Sequence, residues 1–238
     1  MQESKEYKIF HKFIDNKNFS FFDYVYLVLQ IPFDVFEFFI RNIPGGIGFK
    51  IRSIYYKLRL KKVGKNVLID AGVFFAGHKN ISLDDYCYID KYSLLNAISS
   101  IHVGRRSHIS SFCIIHAGLN SPITIGNYVG IAANAKLYSS SESIEKNKRM
   151  SGPMVPLSQK NLKYGPITIH DEAFIGLNTV ILPDLEIGYG AITLPNSVIR
   201  KSINELSIVD AQGKHIMKRD LNISEIKKFP NLKVNING

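Results

Sequence analysis

Cysteine is scarce in this chain. Its 238 residues hold two, Cys87 and Cys113, far apart and without a CxxC or zinc-type spacing. That argues against a disulfide framework and against a cysteine-based metal site. No secretory leader is visible, so both are expected as reduced thiols in a cytoplasmic protein. A clean apolar run is also missing. Residues 19–40, FSFFDYVYLVLQIPFDVFEFFI, are long enough to cross a bilayer. However, Asp23, Gln30, Pro32, Asp34 and Glu37 interrupt them, and carboxylates in hydrocarbon are costly. Acidic residues are outnumbered, 20 against 30 lysines and arginines, which leaves a formal charge of +10. Such a balance favours an anionic partner: nucleic acid, a phosphorylated small molecule or acidic lipid. No recognised nucleic-acid reader motif is present, so nucleic acid is not expected. An apolar share of 45% is ordinary for a folded chain and excludes wholesale disorder.

The first 62 residues form one region. After the turn IPGG (43–46) comes GFKIRSIYYKLRLKK, in which Lys50, Arg52, Lys57, Arg59, Lys61 and Lys62 alternate with Ile51, Ile54, Tyr55, Leu58 and Leu60. That mixture reads as a basic amphipathic helix with aromatic anchors, suited to peripheral contact with an anionic membrane surface. A helical cap packed on the main domain or on another subunit is the competing reading. The interrupting carboxylates disfavour a true span.

From residue 63 an internal period replaces this pattern, and such periods decide a fold before single elements do. Aliphatic or similar residues recur every six positions: Val63, Ile69, Phe75, then Leu83, Ile89, Leu95, then Val103, Ile109, Ile115. The beat continues through Ile125, Ile131 and Leu137, breaks, and returns as Ile169, Ile175, Ile181 and Ile187, Thr193, Ile199. Three hexads close one triangular turn, each supplying a short strand whose first residue points inward. Four positions later a small side chain fits the corner, as at Val67, Ser107, Val129, Ala135, Thr179, Ala191 and Ser197. One turn cannot bury its own core, but stacked turns can. The expected fold is therefore an all-β solenoid of about six coils over residues 63–203. An extended loop interrupts it at about 142–166, and a closing segment and tail follow over 204–238. A loop of that size reads as a lid or binding element. The lysine- and asparagine-rich end beyond 220 reads as frayed or packed on the coil.

VGKNVLI, ITIGNYVGIAANAKLY and PITIHDEAFIGLNTVILPDLEIGYGAITLPNSVIRKSI resemble the hexapeptide-repeat acyltransferases. They are most similar to the maltose/galactoside O-acetyltransferase branch and to relatives that acetylate bacterial surface polysaccharides. The resemblance covers about residues 63–219. It implies a left-handed parallel β-helix, a homotrimer, and acetyl-CoA held between neighbouring helices with no metal required. IVDAQGKHIMKRD resembles the family's closing segment, with Gly213 where that segment has a proline.

LYSSSES (137–143) aligns with the strand end at which sugar acetyltransferases carry a catalytic histidine, and Glu142 stands in its place. An exposed carboxylate is a weak base for a sugar hydroxyl, whereas imidazole suits proton removal near neutral pH. His116 is the leading candidate base. It sits one coil before Tyr138, and equivalent positions in stacked coils lie about 4.8 Å apart. This arrangement places Glu142 within reach through the loop, with Tyr138, Ser139 and Ser141 on the acceptor side. The inserted GLNSP (118–122) follows His116 directly. His170 is a weaker candidate, and His78, His102 and His108 read as structural. The resemblance assigns Gly176, Asn178 and Ala191 to the pantetheine groove and Arg200 and Lys201 to the CoA phosphates, with Lys218 and Arg219 assisting. The expected function is acetyl-CoA-dependent O-acetylation of a sugar in a surface polysaccharide or its lipid-linked precursor. The alternatives are N-acetylation of a nucleotide-linked amino sugar and a non-catalytic trimeric scaffold at the membrane.

Overall fold

The computed structural model describes residues 5–143, 148–150, 152 and 154–220. Three helices precede the solenoid: α1 (Lys5–Ile14), α2 (Phe21–Arg41) and α3 (Gly45–Arg59). Ser20 starts α2 with a capping box: its hydroxyl accepts the Asp23 amide, and the Asp23 carboxylate accepts the Ser20 amide at 2.8 Å. Two otherwise orphaned amides are satisfied in this way.

From Lys62 the chain winds through three parallel sheets. The first comprises Lys62–Val63, Ile81–Leu83, Ile101–Val103, Ile123–Ile125, Ile167–Ile169 and Leu185–Ile187. In this sheet Val63, Leu83, Val103, Ile125, Ile169 and Ile187 pair one above another, so the hexad leaders form a single column. All but Val63, which is half-buried, are fully inside. Six complete coils form, and a seventh is begun by Ile203 and by Ser207–Val209, which His215–Lys218 caps as an antiparallel edge.

Each corner has a physical reason. A residue with left-handed backbone precedes the small buried one: Arg106 before Ser107, Asn134 before Ala135, Asn178 before Thr179, Asn196 before Ser197. The positive φ turns the chain sharply, and the small side chain fits the narrow apex. Cys87 and Cys113 take the same apex position behind Tyr86 and Phe112, wholly buried as free thiols. Burial pushes their thiols up to about 12 and about 11, so neither is a nucleophile.

The loop expected at 142–166 leaves and returns through an antiparallel pair, Ser140–Glu142 against Leu162–Tyr164. Residues 144–147, 151 and 153 of that loop, and the tail after 220, lie outside the described residues.

The N-terminal helices pack differently from a simple basic amphipathic pattern. Arg52 is fully buried: its Nε donates to the Ile69 carbonyl at 2.8 Å and its Nη1 to the Ile43 carbonyl at 2.6 Å. It is a tie between the helices and the first coil and takes no part in a basic face. Buried Glu37 is a second tie. It accepts from Arg41 (3.1 Å), Tyr55 (3.2 Å) and Tyr56 (3.2 Å), and lies 3.0 Å from His78 Nε2 on the first coil's corner. Burial alone would raise its carboxyl, but His78 and Arg41 outweigh burial and hold it below the usual range. No helix among the described residues is long and apolar enough to cross a membrane.

Candidate active site

His116 lies on the strand Ile114–Ala117, where Ile115 and Ala117 turn into the core. Strand alternation therefore points His116 outward. There α1 and α2 lean over this face and border a partly open cavity of about 580 Å³. Its solenoid wall carries Asn96, His116 and Ser140, and its helical wall carries Tyr7, Tyr26 and Asp34. Tyr164, from the returning loop strand, closes one side. His116 is half-buried, and desolvation lowers its pKa, because burial penalises the charged imidazolium. Among the described residues no carboxylate lies within ion-pair distance of its ring. A neutral imidazole facing a largely apolar cavity is the form a general base requires.

Tyr138 pairs with His116 across the sheet, with ring centroids 5.6 Å apart. Ser139 is turned inward and fully buried. Its hydroxyl accepts the Gly118 amide at 2.8 Å and donates to the Ser121 carbonyl at 2.6 Å. It thereby pins both ends of the GLNSP insertion beside His116. Gly118 allows close approach there, since a Cβ would lie 2.5 Å from the Ser140 side chain. Replacing Ser139 by alanine leaves the Gly118 amide buried and unpaired. A loss of about 1–3 kcal/mol is expected, readable as a lower urea midpoint.

Glu142 does not line the cavity. One of its carboxylate oxygens is buried without a partner among the described residues, and its charge raises the pKa of Tyr164, after the larger contribution from burial. Among the described residues the Ser141 hydroxyl reaches the Glu142 carbonyl, at 3.5 Å.

Away from the cavity, Gly176 abuts the next coil, where a Cβ would lie 2.5 Å from the Thr193 carbonyl oxygen, and Ala191 fills an apex. Asn178 holds a left-handed corner and sits in a side-chain ladder, 2.9 Å from Asn134 below and 2.9 Å from Asn196 above. Arg200 and Lys201 are exposed on the last complete coil and make no ion pair among the described residues. Arg219 instead donates to the Glu172 and Gly190 carbonyls, both at 3.1 Å. His170 and His102 are near surface carboxylates, and His108 stacks on Tyr88 beside Asp90. Among the described residues no cluster of His, Cys, Asp or Glu could hold a metal ion.

The helical wall is what sequence reasoning missed. Tyr7, Tyr26 and Asp34 belong to segments whose own pattern gives no sign of a cavity. His78 read as structural, and its partner Glu37 makes it so, although it also reaches the cavity edge.

A three-faced parallel solenoid of stacked hexads thus carries a histidine that faces the cavity beside α1 and α2. No protein-family model matches the chain. It is 28% identical over 173 residues, 72% of this chain and 88% of the relative, to a dTDP-4-amino-4,6-dideoxy-D-glucose acyltransferase of Escherichia coli. A second similar protein, from Escherichia coli strain K12, is WbbJ, named for lipopolysaccharide-biosynthesis O-acetyl transfer; it is 26% identical over 75% of this chain and 69% of its own length. Among solved structures, AntD, an N-acyltransferase from Bacillus cereus in complex with dTDP and 3-hydroxybutyryl-CoA, superposes with a TM-score of 0.69. That match has 25% identity and covers 74% of this chain and 92% of that one. A hexapeptide-repeat acetyltransferase from Vibrio cholerae complexed with acetyl coenzyme A shares the fold, with a TM-score of 0.56 at 17% identity, over 87% of this chain and 96% of that one. The chain thus resembles sugar acyltransferases and shares the left-handed β-helix of hexapeptide-repeat acetyltransferases, likenesses that support acyl transfer.

Proposed function

We propose that the chain is an acetyl-CoA-dependent O-acetyltransferase acting on a sugar hydroxyl of a bacterial surface polysaccharide or its lipid-linked precursor. The observation that carries the reading is His116, half-buried and facing a cavity large enough for a saccharide, where desolvation lowers its pKa. His116 takes the proton of the acceptor hydroxyl as its oxygen bonds to the thioester carbonyl carbon. The carbon–sulfur bond then breaks, and the departing CoA thiolate recovers the proton from the imidazolium. A backbone amide near the carbonyl oxygen would stabilise the developing charge. Two buried, poorly acidic cysteines leave no thiol for an acyl-enzyme, which supports direct transfer. Ser140 and Tyr164 line the cavity beside His116 and flank the acceptor, while Tyr138 packs against the His116 ring; Glu142, outside the cavity, takes no part in the transfer. Acetyl-CoA lies between neighbouring solenoids of a homotrimer, its pantetheine along the partly exposed Asn178 corner; Gly176 and Ala191 are buried and shape that corner from within. Arg200 and Lys201, exposed and without carboxylate partners among the described residues, meet its phosphates.

A second reading, N-acylation of a nucleotide-linked amino sugar, is favoured by the dTDP-sugar relatives. Thiol release from acetyl-CoA separates the two. Purified protein is given a lipid-linked or polymeric saccharide in one arm and dTDP-4-amino-4,6-dideoxyglucose in the other. Turnover with the hydroxyl acceptor is expected. Turnover confined to the amino sugar would overturn the first reading in favour of the second, and none in either arm leaves the scaffold reading.

A further inference from the structure

Helix α2 is inside out. Its polar residues turn toward the body: Asp23 is paired to Lys12 at 2.5 Å, Glu37 is held in its buried cluster, and Asp34 lines the cavity. Its opposite side is uncharged and exposed over the whole helix, through Phe21, Val28, Ile31, Val35, Phe38 and Phe39. Phe21 is 75% and Phe39 65% exposed. Twenty-one residues at 1.5 Å each make a strip of about 30 Å. Contiguous apolar surface of that extent marks an interaction site.

Helix α3 extends the strip and adds charge. Ile47, Ile54 and Leu58, spaced to share one side of the helix, are all exposed. Lys50, Lys57 and Lys61 flank them, exposed and without ion-pair partners among the described residues. A largely apolar groove lined by Pro32, Phe33, Phe36, Tyr55 and Leu58, with Arg59 stacked on Phe33, joins the two helices into one surface.

We propose that this surface docks on an anionic bilayer, with α2 lying in the plane of the boundary between headgroups and acyl chains. An apolar face bordered by lysines along α3 matches that interface, where apolar burial and attraction to acidic lipid add. A symmetric contact with a second copy fits less well, because it would bring the α3 lysines of the copies together. The inner side of α2 lines the cavity with Tyr26, Leu27, Gln30 and Asp34. Docking therefore sets the acceptor cavity about one helix diameter, roughly 10 Å, beneath the membrane surface. The proposal does not depend on which acceptor is acylated.

The test is flotation of the full chain with vesicles of phosphatidylcholine, with and without phosphatidylglycerol. Binding is expected to the anionic vesicles and to weaken with salt. The double variant Phe38→Ser, Phe39→Ser, at two exposed positions away from the cavity, is expected to bind at least tenfold more weakly. Lys50→Glu with Lys57→Glu should lose the preference for anionic lipid, and both variants should keep wild-type thiol release with a soluble acceptor. Flotation of the double phenylalanine variant equal to wild type overturns the proposal. So does an absence of wild-type flotation; if the phenylalanine variant then also sediments as a smaller species, the face is a subunit contact.

Discussion

Replacing His116 by alanine is expected to cut acetyl transfer by roughly 10²–10⁴-fold, the usual worth of a positioned general base. The fold should be untouched, because the side chain points from the strand into the cavity and not into the core. The pH profile carries a second signature. The base works when neutral, so the rate falls on the acid side as His116 gains its proton. Burial lowers its pKa below the ordinary 6.5. Activity should therefore persist to more acidic pH than free imidazole would allow, and the acid limb should vanish with the histidine. His78 provides the control, because it reaches the same cavity but is tied to Glu37. His78→Ala should weaken stability more than rate. Wild-type turnover in His116→Ala would remove the assignment.

The second large effect concerns Glu37. Truncation to alanine leaves Arg41, Tyr55, Tyr56 and His78 without their shared acceptor in a buried site. Breaking a buried charge cluster by removing one partner costs about 3–5 kcal/mol. The loss should fall on the junction between the helices and the first coil, while the remaining coils keep their ladders. Urea unfolding followed by circular dichroism, together with limited proteolysis near residues 42–60, would show cleavage of the helices ahead of the solenoid. The pH dependence has a definite sign. The carboxyl is held below its unfolded value of 4.5, so its stabilisation is complete above that value. It is lost as pH falls through the lower folded pKa. In Glu37→Gln that part of the acid dependence should disappear. A variant as stable as wild type would show that the cluster contributes nothing net.

These effects divide between what a short window of sequence carries and what it does not. The hexads were legible because each coil repeats the same local demand: an aliphatic inward, a sharp corner, a small apex. Val103, Ile109 and Ile115 satisfy it within 13 positions, and the partners in the next coil obey the same rule. The buried cysteines obey the same rule, Cys87 and Cys113 standing four positions after Leu83 and Ile109. His116 was legible in part, since one coil of spacing puts it beside Tyr138, but its pattern predicted exposure and not a cavity bordered by helices. Arg52 and Glu37 were not legible. A basic residue among basic residues reads as surface, and a glutamate in an apolar run reads as an interruption. Both are buried because three helices fold back on the first coil and give them partners 17 to 41 residues away.

The sequence by itself determined the solenoid, the coil count to within a partial turn, and the strand from which a histidine would point. Periodicity is a local property, and parallel stacking repeats it. Only the tertiary structure decided that α1 and α2 wall the cavity, that Glu37 and Arg52 anchor them, and that the apolar side of α2 faces outward. Those outcomes depend on which face of a helix meets the solenoid. That choice is set by non-local partners, above all the backbone carbonyls that Arg52 caps and the histidine that Glu37 finds on the first coil's corner.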